Sequence, residues 1–154
     1  MQLFKGVGCP AIFVPGNNET DVELREACAG LKEAHVLHGS GVEMEGIPFF
    51  GVGGGIPVTP FGSWSFDFTE EQGAELLRDC PRGAVLVSHS PPKGVVDVTS
   101  SGKSIGSSAV REAILRLTPR LVVCGHVHHS AGESARLGNS PVINVGPAGM
   151  VVEL

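Results

Sequence analysis

Short apolar runs recur along the chain, each followed by a turn and then, in most cases, by an amphipathic segment. The runs at residues 11–14, 84–88 and 121–124 are rich in Val, Ile and Leu. Apolar runs of this length, bounded by turn residues, are typical of buried strands. Their alternation with amphipathic segments predicts an α/β fold in which the strands lie in a largely buried sheet.

Capping residues mark the starts of the predicted helices. Thr20 is followed three residues later by Glu23, and the same spacing separates Thr69 from Gln72. In this pattern each side chain satisfies a backbone N–H group that the first helical turn leaves free. We therefore predict helices from residue 21 to just before Gly30 and from residue 69 to about 80, with a third over residues 107–117.

The remaining apolar segments complete the predicted architecture. Residues 35–37, 42–45 and 47–52 are expected to be strands separated by Gly and Ser turns. Residues 53–66 are expected to form a long ordered loop whose aromatic residues, among them Trp64, pack in the core. At the C-terminal end, residues 141–145 and 150–153 are predicted to pair as antiparallel strands. With no repeat or linker in its 154 residues, the chain is expected to form one domain over residues 1–154.

Metal-ligating side chains directly follow three of the predicted strands. The three segments are Gly16-Asn17-Asn18-Glu19, Val87-Ser88-His89-Ser90 and Gly125-His126-Val127-His128. Ligands at strand ends are held by stiff elements, while the loops leave room for a substrate. Imidazoles with a side-chain amide suit a divalent transition metal (Mn, Fe, Zn, Ni or Co) better than Ca. The sequence therefore predicts a metal site built from these segments.

Composition narrows the classes of function. Hydrophobic residues make up 42% of the chain and charged residues 18%, which is typical of a folded protein and not of a disordered one. The net charge of -5 argues against binding nucleic acid by bulk electrostatics. No apolar run is long enough to cross a membrane, and residues 1–6 lack the features of a signal peptide, so a cytoplasmic protein is expected. The four cysteines form no C-x-x-C pair, and Cys124 is interpreted as a core residue.

The three segments resemble, in order and in type, the later motifs of the calcineurin-like metallophosphoesterase family. That family carries Asp-x-His, Gly-Asp, Gly-Asn-His-Asp/Glu, a His block and Gly-His-x-His, from the N-terminus to the C-terminus. Here residues 16–19 resemble the third motif, His89 the fourth and residues 125–128 the fifth. The resemblance implies a metallophosphoesterase-type αββα sandwich with the site at one edge of its two sheets.

The family's roles can be carried over to the matching positions. The resemblance implies that Asn17, His89 and His126 ligate one metal ion and that His128 ligates a second one. Asn18 stands where the family has the His that protonates the leaving group. An amide has no proton with a useful pKa, which favours esters whose leaving group is already acidic.

Two motifs of the family have no counterpart in this chain. There is no Asp-x-His and no Gly-Asp sequence, and only fifteen residues precede Gly16. We therefore expect a domain that lacks the family's N-terminal strand-helix unit. The surviving ligands are expected to hold one metal ion or none, where the family holds two.

Three functions remain open at this stage. The first is metal-dependent hydrolysis of small phosphomonoesters or phosphodiesters. The second is a catalytically inactive binding or scaffold module with the same fold, and the third is a truncated family fragment. For the last two, self-association or a protein partner over an exposed sheet edge is expected. The individual residues also have simpler explanations, since His89 and Asn17 could be turn residues and Glu19 could stabilise the helix dipole.

Overall fold

Residues 8–154 are described by a computed structural model, and the strands are numbered in chain order among these residues. They run over Ala11–Phe13 (β1), Ala34–Val36 (β2), Ser40–Met44 (β3), Ile47–Val52 (β4), Val85–Ser88 (β5), Leu121–Cys124 (β6), Ser134–Leu137 (β7) and Ser140–Asn144 (β8). The expectation about a signal peptide at residues 1–6 lies outside the described residues.

The three α-helices of the described residues begin where the capping patterns predict. They span Asp21–Cys28 (α1), Glu70–Leu76 (α2) and Ser108–Leu117 (α3). Both predicted capping boxes are formed, at Thr20 and at Thr69, with the reciprocal bonds between cap and third helical residue. Ser107 caps α3, where its hydroxyl accepts from the backbone N–H of Val110 at 3.1 Å. These local bonds fix the helix starts without help from distant residues.

Two sheets are formed by the described strands. β1 and β2 form a small parallel sheet, and the other six strands form a mixed sheet in the order β3-β4-β5-β6-β8-β7. β4, β5, β6 and β8 run parallel to one another, while β3 and β7 are antiparallel at the two edges. The carboxyl ends of the four central strands therefore meet at one edge of the sheet, where α/β proteins place their ligand sites.

The main core lies between the large sheet and the helices α2 and α3. Leu86, Val122 and Val142 extend from three neighbouring strands, and Val110 and Ile114 meet them from α3. All five side chains are at most 1% exposed. Burying a side chain of this size stabilises the fold by ~1.5–3 kcal/mol. The helices and the sheet are thus locked together, which fixes the positions of the strand ends. The predicted α/β class is confirmed.

A close approach of backbones joins the small sheet to the large one. Gly53, which follows β4, lies against Pro15, which follows β1, so that a Cβ added at Gly53 would be 2.3 Å from Pro15 Cγ. The next residue, Gly54, donates its N–H to the Pro15 carbonyl at 3.0 Å. Only glycine fits at position 53, because any side chain would push the two segments apart.

The prediction for the C-terminal strands was half wrong. Residues 140–144 form β8, but its antiparallel partner is β7 at Ser134–Leu137, and residues 150–153 form no strand. A tight turn through Gly138, with φ +60°, connects β7 to β8. β7 was not predicted because Leu137 is the one buried residue of its four, so the segment shows no alternation of apolar and polar residues. Within residues 8–154, no helix is long and apolar enough to span a bilayer.

Candidate metal centre

The ends of three strands bring the predicted ligands together. His89 directly follows β5, His126 follows β6 by two residues, and Asn17 lies four residues beyond β1. β5 and β6 are parallel neighbours in the large sheet, while β1 belongs to the small one. The site therefore lies where the two sheets meet, held from both sides by elements packed on a core.

Three electron-donating atoms converge at this point. His89 Nε2 lies 3.1 Å from Asn17 Oδ1 and 3.0 Å from His126 Nδ1. The single proton that His89 Nε2 can carry cannot serve both neighbours at once. Because the Asn17 amide oxygen can only accept, at least one of the two contacts of His89 Nε2 has no hydrogen between its atoms. A cation would be a favourable partner for all three atoms.

Both histidines of this cluster are biased toward the neutral form. Burial lowers the pKa of His89 to about 4, with smaller contributions from the nearby His126 and His128, against the opposing charge of Asp67. Burial also lowers the pKa of His126, and Asp67 again opposes the shift. A neutral imidazole is the form that can ligate a metal ion. The environment thus prepares both rings for that role at neutral pH.

His126 is held in a backbone conformation that few side chains adopt. Its φ is +64°, and the N–H of Val127 donates back to the carbonyl of Gly125 at 2.7 Å. Together these features define a γ-turn centred on His126, a strained arrangement of the kind found at functional sites. The turn directs the ring toward His89.

Asn144, at the end of β8, holds this turn from behind. Its Nδ2 donates to the carbonyls of Val127 at 3.0 Å, Gly125 at 3.3 Å and Val96 at 3.2 Å. The side chain is 1% exposed, so water cannot replace it easily. Asn144 therefore ties the carbonyls of the residues on either side of His126 to the loop after β5. Sequence reasoning missed it, because an isolated Asn in a strand carries no local signal.

A second network orients Asn17. Its Nδ2 donates to Ser65 Oγ at 3.3 Å, and Ser65 Oγ donates in turn to Asp67 Oδ1 at 2.8 Å. Thr59 holds the other carboxylate oxygen through its hydroxyl at 2.5 Å and its N–H at 2.9 Å. With its nitrogen engaged in this way, Asn17 turns its oxygen toward His89. One pattern in the sequence could have drawn attention to Ser65 and Asp67. They alternate with aromatic residues along the chain, as polar and apolar faces of an extended segment do.

Asn18 and His128 lie beside the cluster and not in it. Both line a cleft of about 510 Å³ that opens over Asn17, His89 and His126. His128 begins a 3-10 turn, His128–Ser130, and its side chain is exposed. The segment from His126 to His128 is not extended, and both rings reach the cleft. The neighbouring residue 129 is also exposed.

Two other residues near the motifs have structural roles. Glu19 accepts the N–H of Gly16 at 2.6 Å and so closes the turn that presents Asn17. The interaction of Glu19 with the dipole of α1 stays a prediction. Cys124 is 3% exposed, and its thiol donates to the Ile143 carbonyl at 3.4 Å. Burial raises the pKa of this thiol to about 12, so it stays protonated, in line with its interpretation as a core residue.

The donor set fits one divalent ion. Ligands at about 2.0–2.2 Å from an ion and at right angles to each other are about 3.0 Å apart, close to the separations between His89 Nε2 and its two neighbours. Two imidazoles and one amide oxygen form a neutral set, and imidazole ligands suit divalent transition metals such as Zn, Fe and Ni. Among residues 8–154, no group of three or more His, Cys, Asp or Glu side chains is placed to hold a metal.

This arrangement of strand-end ligands agrees with the comparison to known families. The profile of the family described as "Metallophosphoesterase, calcineurin superfamily" matches residues 2–149, nearly the whole chain. The chain belongs to this metallophosphoesterase family. The resemblance inferred from the three motifs is therefore confirmed, and the mixed α/β fold with helices against a central sheet matches solved structures of similar fold.

Known proteins and solved structures are similar to this chain over most of its length. A crystal structure at 27% identity has a TM-score of 0.76 and covers 94% of this chain and 62% of that one. The structure of TT1561 of Thermus thermophilus is 22% identical, with a TM-score of 0.65 over 89% of this chain and 63% of that one, and shows the fold alone. The UPF0046 protein T07D4.2 of Caenorhabditis elegans is 30% identical over 108 residues, which are 66% of this chain and 26% of the relative. The chain thus spans less than two thirds of the length of each of these relatives.

Proposed function

We propose that this metallophosphoesterase domain binds one divalent metal ion through Asn17, His89 and His126 and hydrolyses phosphoesters with acidic leaving groups. The observation that carries the proposal is the convergence of three donor atoms, two of them 3.0–3.1 Å from His89 Nε2, at the base of an open cleft. A structural role alone would not explain why two neutral imidazoles face each other beside an amide oxygen.

The residues of the cleft suggest what each would do for a phosphoester. A divalent ion held by Asn17, His89 and His126 would supply positive charge to phosphoryl oxygens, and the cleft lining includes no Lys or Arg that could do so. His128 lines the cleft without a hydrogen-bond partner among the described side chains, which leaves its ring available to a phosphate oxygen or to a further ion.

The choice of leaving group follows from Asn18. This residue is exposed in the cleft and takes the place of the acid that the family uses. Its amide can donate a hydrogen bond but not a proton, and loss of general acid help costs about 10²–10⁴-fold in rate. Esters of nitrophenol need no such help, so they are the substrates on which activity should be found. The variant Asn18→His should raise the turnover of alkyl esters more than that of nitrophenyl esters.

A second function is favoured by the same residues. Asn18 can hydrogen-bond a phosphoester without protonating its leaving group, and the three converging donors include no carboxylate. Both are features of a site that binds without turnover. In this alternative the domain is a phosphoester-binding module or a scaffold. It predicts the same metal and phosphate binding as the first function, but no hydrolysis.

One set of measurements separates the two. The stoichiometry of Mn²⁺ and Zn²⁺ is measured by calorimetry on the wild type, on His126→Ala, and on His35→Gln, which changes a histidine in β2 away from the site. We expect one ion per chain for the wild type and the control, and at least ~100-fold weaker binding for His126→Ala. Hydrolysis of bis(4-nitrophenyl) phosphate by the metal-loaded chain then supports the enzyme. Metal binding without hydrolysis supports the binding module, and equal metal binding by all three proteins refutes the site.

A further inference from the structure

The loop between β5 and α3 contains an acidic side chain that solvent does not reach. Asp97 is 0% exposed, and its Oδ2 accepts the N–H groups of Gly94 at 2.9 Å and Gly106 at 2.8 Å and the hydroxyl of Ser104 at 2.5 Å. Its Oδ1 is buried without a partner among the described residues. Complete burial of an acidic side chain without a cation is rare and costs stability. What Asp97 holds in place is therefore of interest.

The bonds of Asp97 close this loop into a short hairpin. Val98 and Ser104 form an antiparallel bridge, and the N–H of Ile105 donates to the Asp97 carbonyl at 3.1 Å. Thr99 and Ile105 of the same hairpin line the cleft above the ligand cluster. Asp97 thus determines where this wall of the cleft, the loop wall, is placed.

Another part of the cleft lining is held by a different network. Phe61 and Trp64 also line the cleft, and their rings stack on each other with centroids 5.9 Å apart. Trp64 is 62% exposed, so the prediction that it packs in the core was wrong. The segment that follows it is bonded to Asn17 through Ser65. A change at Asp97 is therefore expected to act on the loop wall and not on this segment.

The residues on either side of Asp97 bond the loop to the part of the chain that carries the C-terminal histidines. The carbonyl of Val96 accepts from Asn144 Nδ2 at 3.2 Å. Val98 makes two bonds with Ser130, whose hydroxyl both accepts its N–H and donates to its carbonyl, each at 3.1 Å. The φ of Val96 is +49°, a conformation that a β-branched residue keeps only where its surroundings impose it.

Asn144 and Ser130 hold the two ends of the turn over residues 125–130, called here the histidine turn. Asn144 bonds the carbonyls on either side of His126. The N–H of Ser130 donates to the Val127 carbonyl at 3.1 Å, and the 3-10 turn that begins at His128 ends at Ser130. A displacement of residues 96–98 would therefore be passed to both ends of the histidine turn.

We propose that Asp97 is a positioning residue for the histidine turn and thereby for His126 and His128. It acts through its two neighbours in the chain, which bind Asn144 and Ser130. The proposal rests on the proposed function as far as metal binding is concerned, whereas the placement of the two rings can be measured without an ion. The role is geometric: three donors fix the carboxyl group, and the carboxyl group fixes the loop.

Two substitutions at Asp97 separate geometry from charge. In Asp97→Asn the amide oxygen can take the place of Oδ2 and keep its three bonds, whereas Asp97→Ala removes them. Zn²⁺ affinity is measured by calorimetry on both folded variants. We expect a loss of about 10–100-fold for Asp97→Ala, as for other residues that support metal ligands, and an affinity close to that of the wild type for Asp97→Asn. An equal loss in both variants would mean that the charge is what matters, and would overturn the proposal.

The placement of the rings is followed by NMR on the metal-free protein. The ring Cε1–H signals of the six histidines are assigned by single substitutions. In Asp97→Ala we expect the signals of His126 and His128 to shift, while the signal of His35 in β2 stays in place. Unchanged signals of His126 and His128 in the folded variant overturn the proposal. If the wild type binds no Zn²⁺, the proposed function fails, and these signals still decide the role of Asp97.

Ser130→Ala tests the path and replaces Asp97→Ala if the latter does not fold. It removes the hydroxyl that joins Val98 to the histidine turn, so it should shift the same two ring signals. The control is Ser140→Ala, because Ser140 is equally buried but its Oγ has no partner among the described residues, and it should shift neither signal. No shift in Ser130→Ala, or the same shift in both variants, overturns the proposal.

A double variant shows whether the two residues act through one path. Because Asp97 and Ser130 meet at Val98, Asp97→Ala combined with Ser130→Ala should lose less Zn²⁺ affinity than the product of the two single losses. Losses that multiply fully would show that the two residues act independently, which contradicts a path from Asp97 through Ser130.

Discussion

Replacing Asn144 by Ala should disturb the metal centre from a distance. Asn144 Nδ2 has two N–H groups and faces three backbone carbonyls, those of Val96, Gly125 and Val127, at 3.0–3.3 Å. A buried hydrogen bond contributes ~1 kcal/mol, and a carbonyl left unpaired costs ~1–3 kcal/mol. The free energy of unfolding should therefore fall by about 3 kcal/mol.

The same substitution acts on His126 through its backbone. The γ-turn at His126 stores about 1–3 kcal/mol of strain, which Asn144 opposes by holding the carbonyls of Gly125 and Val127, the residues on either side. Without that hold the turn relaxes and the ring moves away from His89. We expect Zn²⁺ affinity to fall by about 10–100-fold, as for other residues that support metal ligands. Metal affinity is measured by calorimetry, under conditions where the variant is folded.

A matched control separates this effect from a general one. Asn139 is an exposed residue of the turn between β7 and β8, and its contact with Arg136 uses the backbone carbonyl. Asn139→Ala should change stability by less than ~0.5 kcal/mol in urea unfolding and leave metal affinity unaltered. If Asn144→Ala behaves like Asn139→Ala in both assays, the argument that Asn144 supports the turn is refuted.

Three other outcomes follow from packing and burial. Gly53→Ala should destabilise the fold by at least ~1–3 kcal/mol, because its Cβ would collide with Pro15, whereas Gly30→Ala has free space and should be neutral in thermal unfolding. A thiol reagent at about pH 8 should modify one thiol in the folded chain, Cys9, and four after unfolding, because burial shields the other three. Burial lowers the pKa of His38, whose Nδ1 accepts the Gly53 N–H at 3.1 Å. The folded state therefore resists protonation, so stability is present above about pH 6.5 and lost as the pH falls below it. His38→Phe should show a smaller loss of stability between about pH 7 and pH 5, and an equal loss would contradict the assignment.

Features determined by neighbouring residues could be predicted from the sequence. The two capping boxes were predicted and are formed, since all their bonds lie within three residues of the cap. β4 and β6 were predicted with the bounds that the structure has, because their apolar runs are continuous and end at glycines. β7 could not be predicted, since three of its four residues are exposed at the sheet edge.

The candidate site also contains residues that local sequence patterns predict and residues that depend on distant contacts. Asn17, His89 and His126 could be proposed from the sequence because each follows a strand in a recognisable motif. The residues that hold them could not, because Ser65 lies 48 positions from Asn17 and Val96 lies 48 positions from Asn144. Contacts of such separation exist only once the sheets are packed, so a local pattern such as the alternation around Ser65 cannot identify the distant partner.

Asn17 connects the proposed metal centre to the segment that follows the exposed Trp64. Its side-chain oxygen faces His89, while its side-chain nitrogen and backbone carbonyl bond Ser65 and Phe66. In the proposed function, a metal ion that fixed the amide plane would also restrain this segment. The bonds from the segment would in turn hold the amide in the orientation that the ion needs.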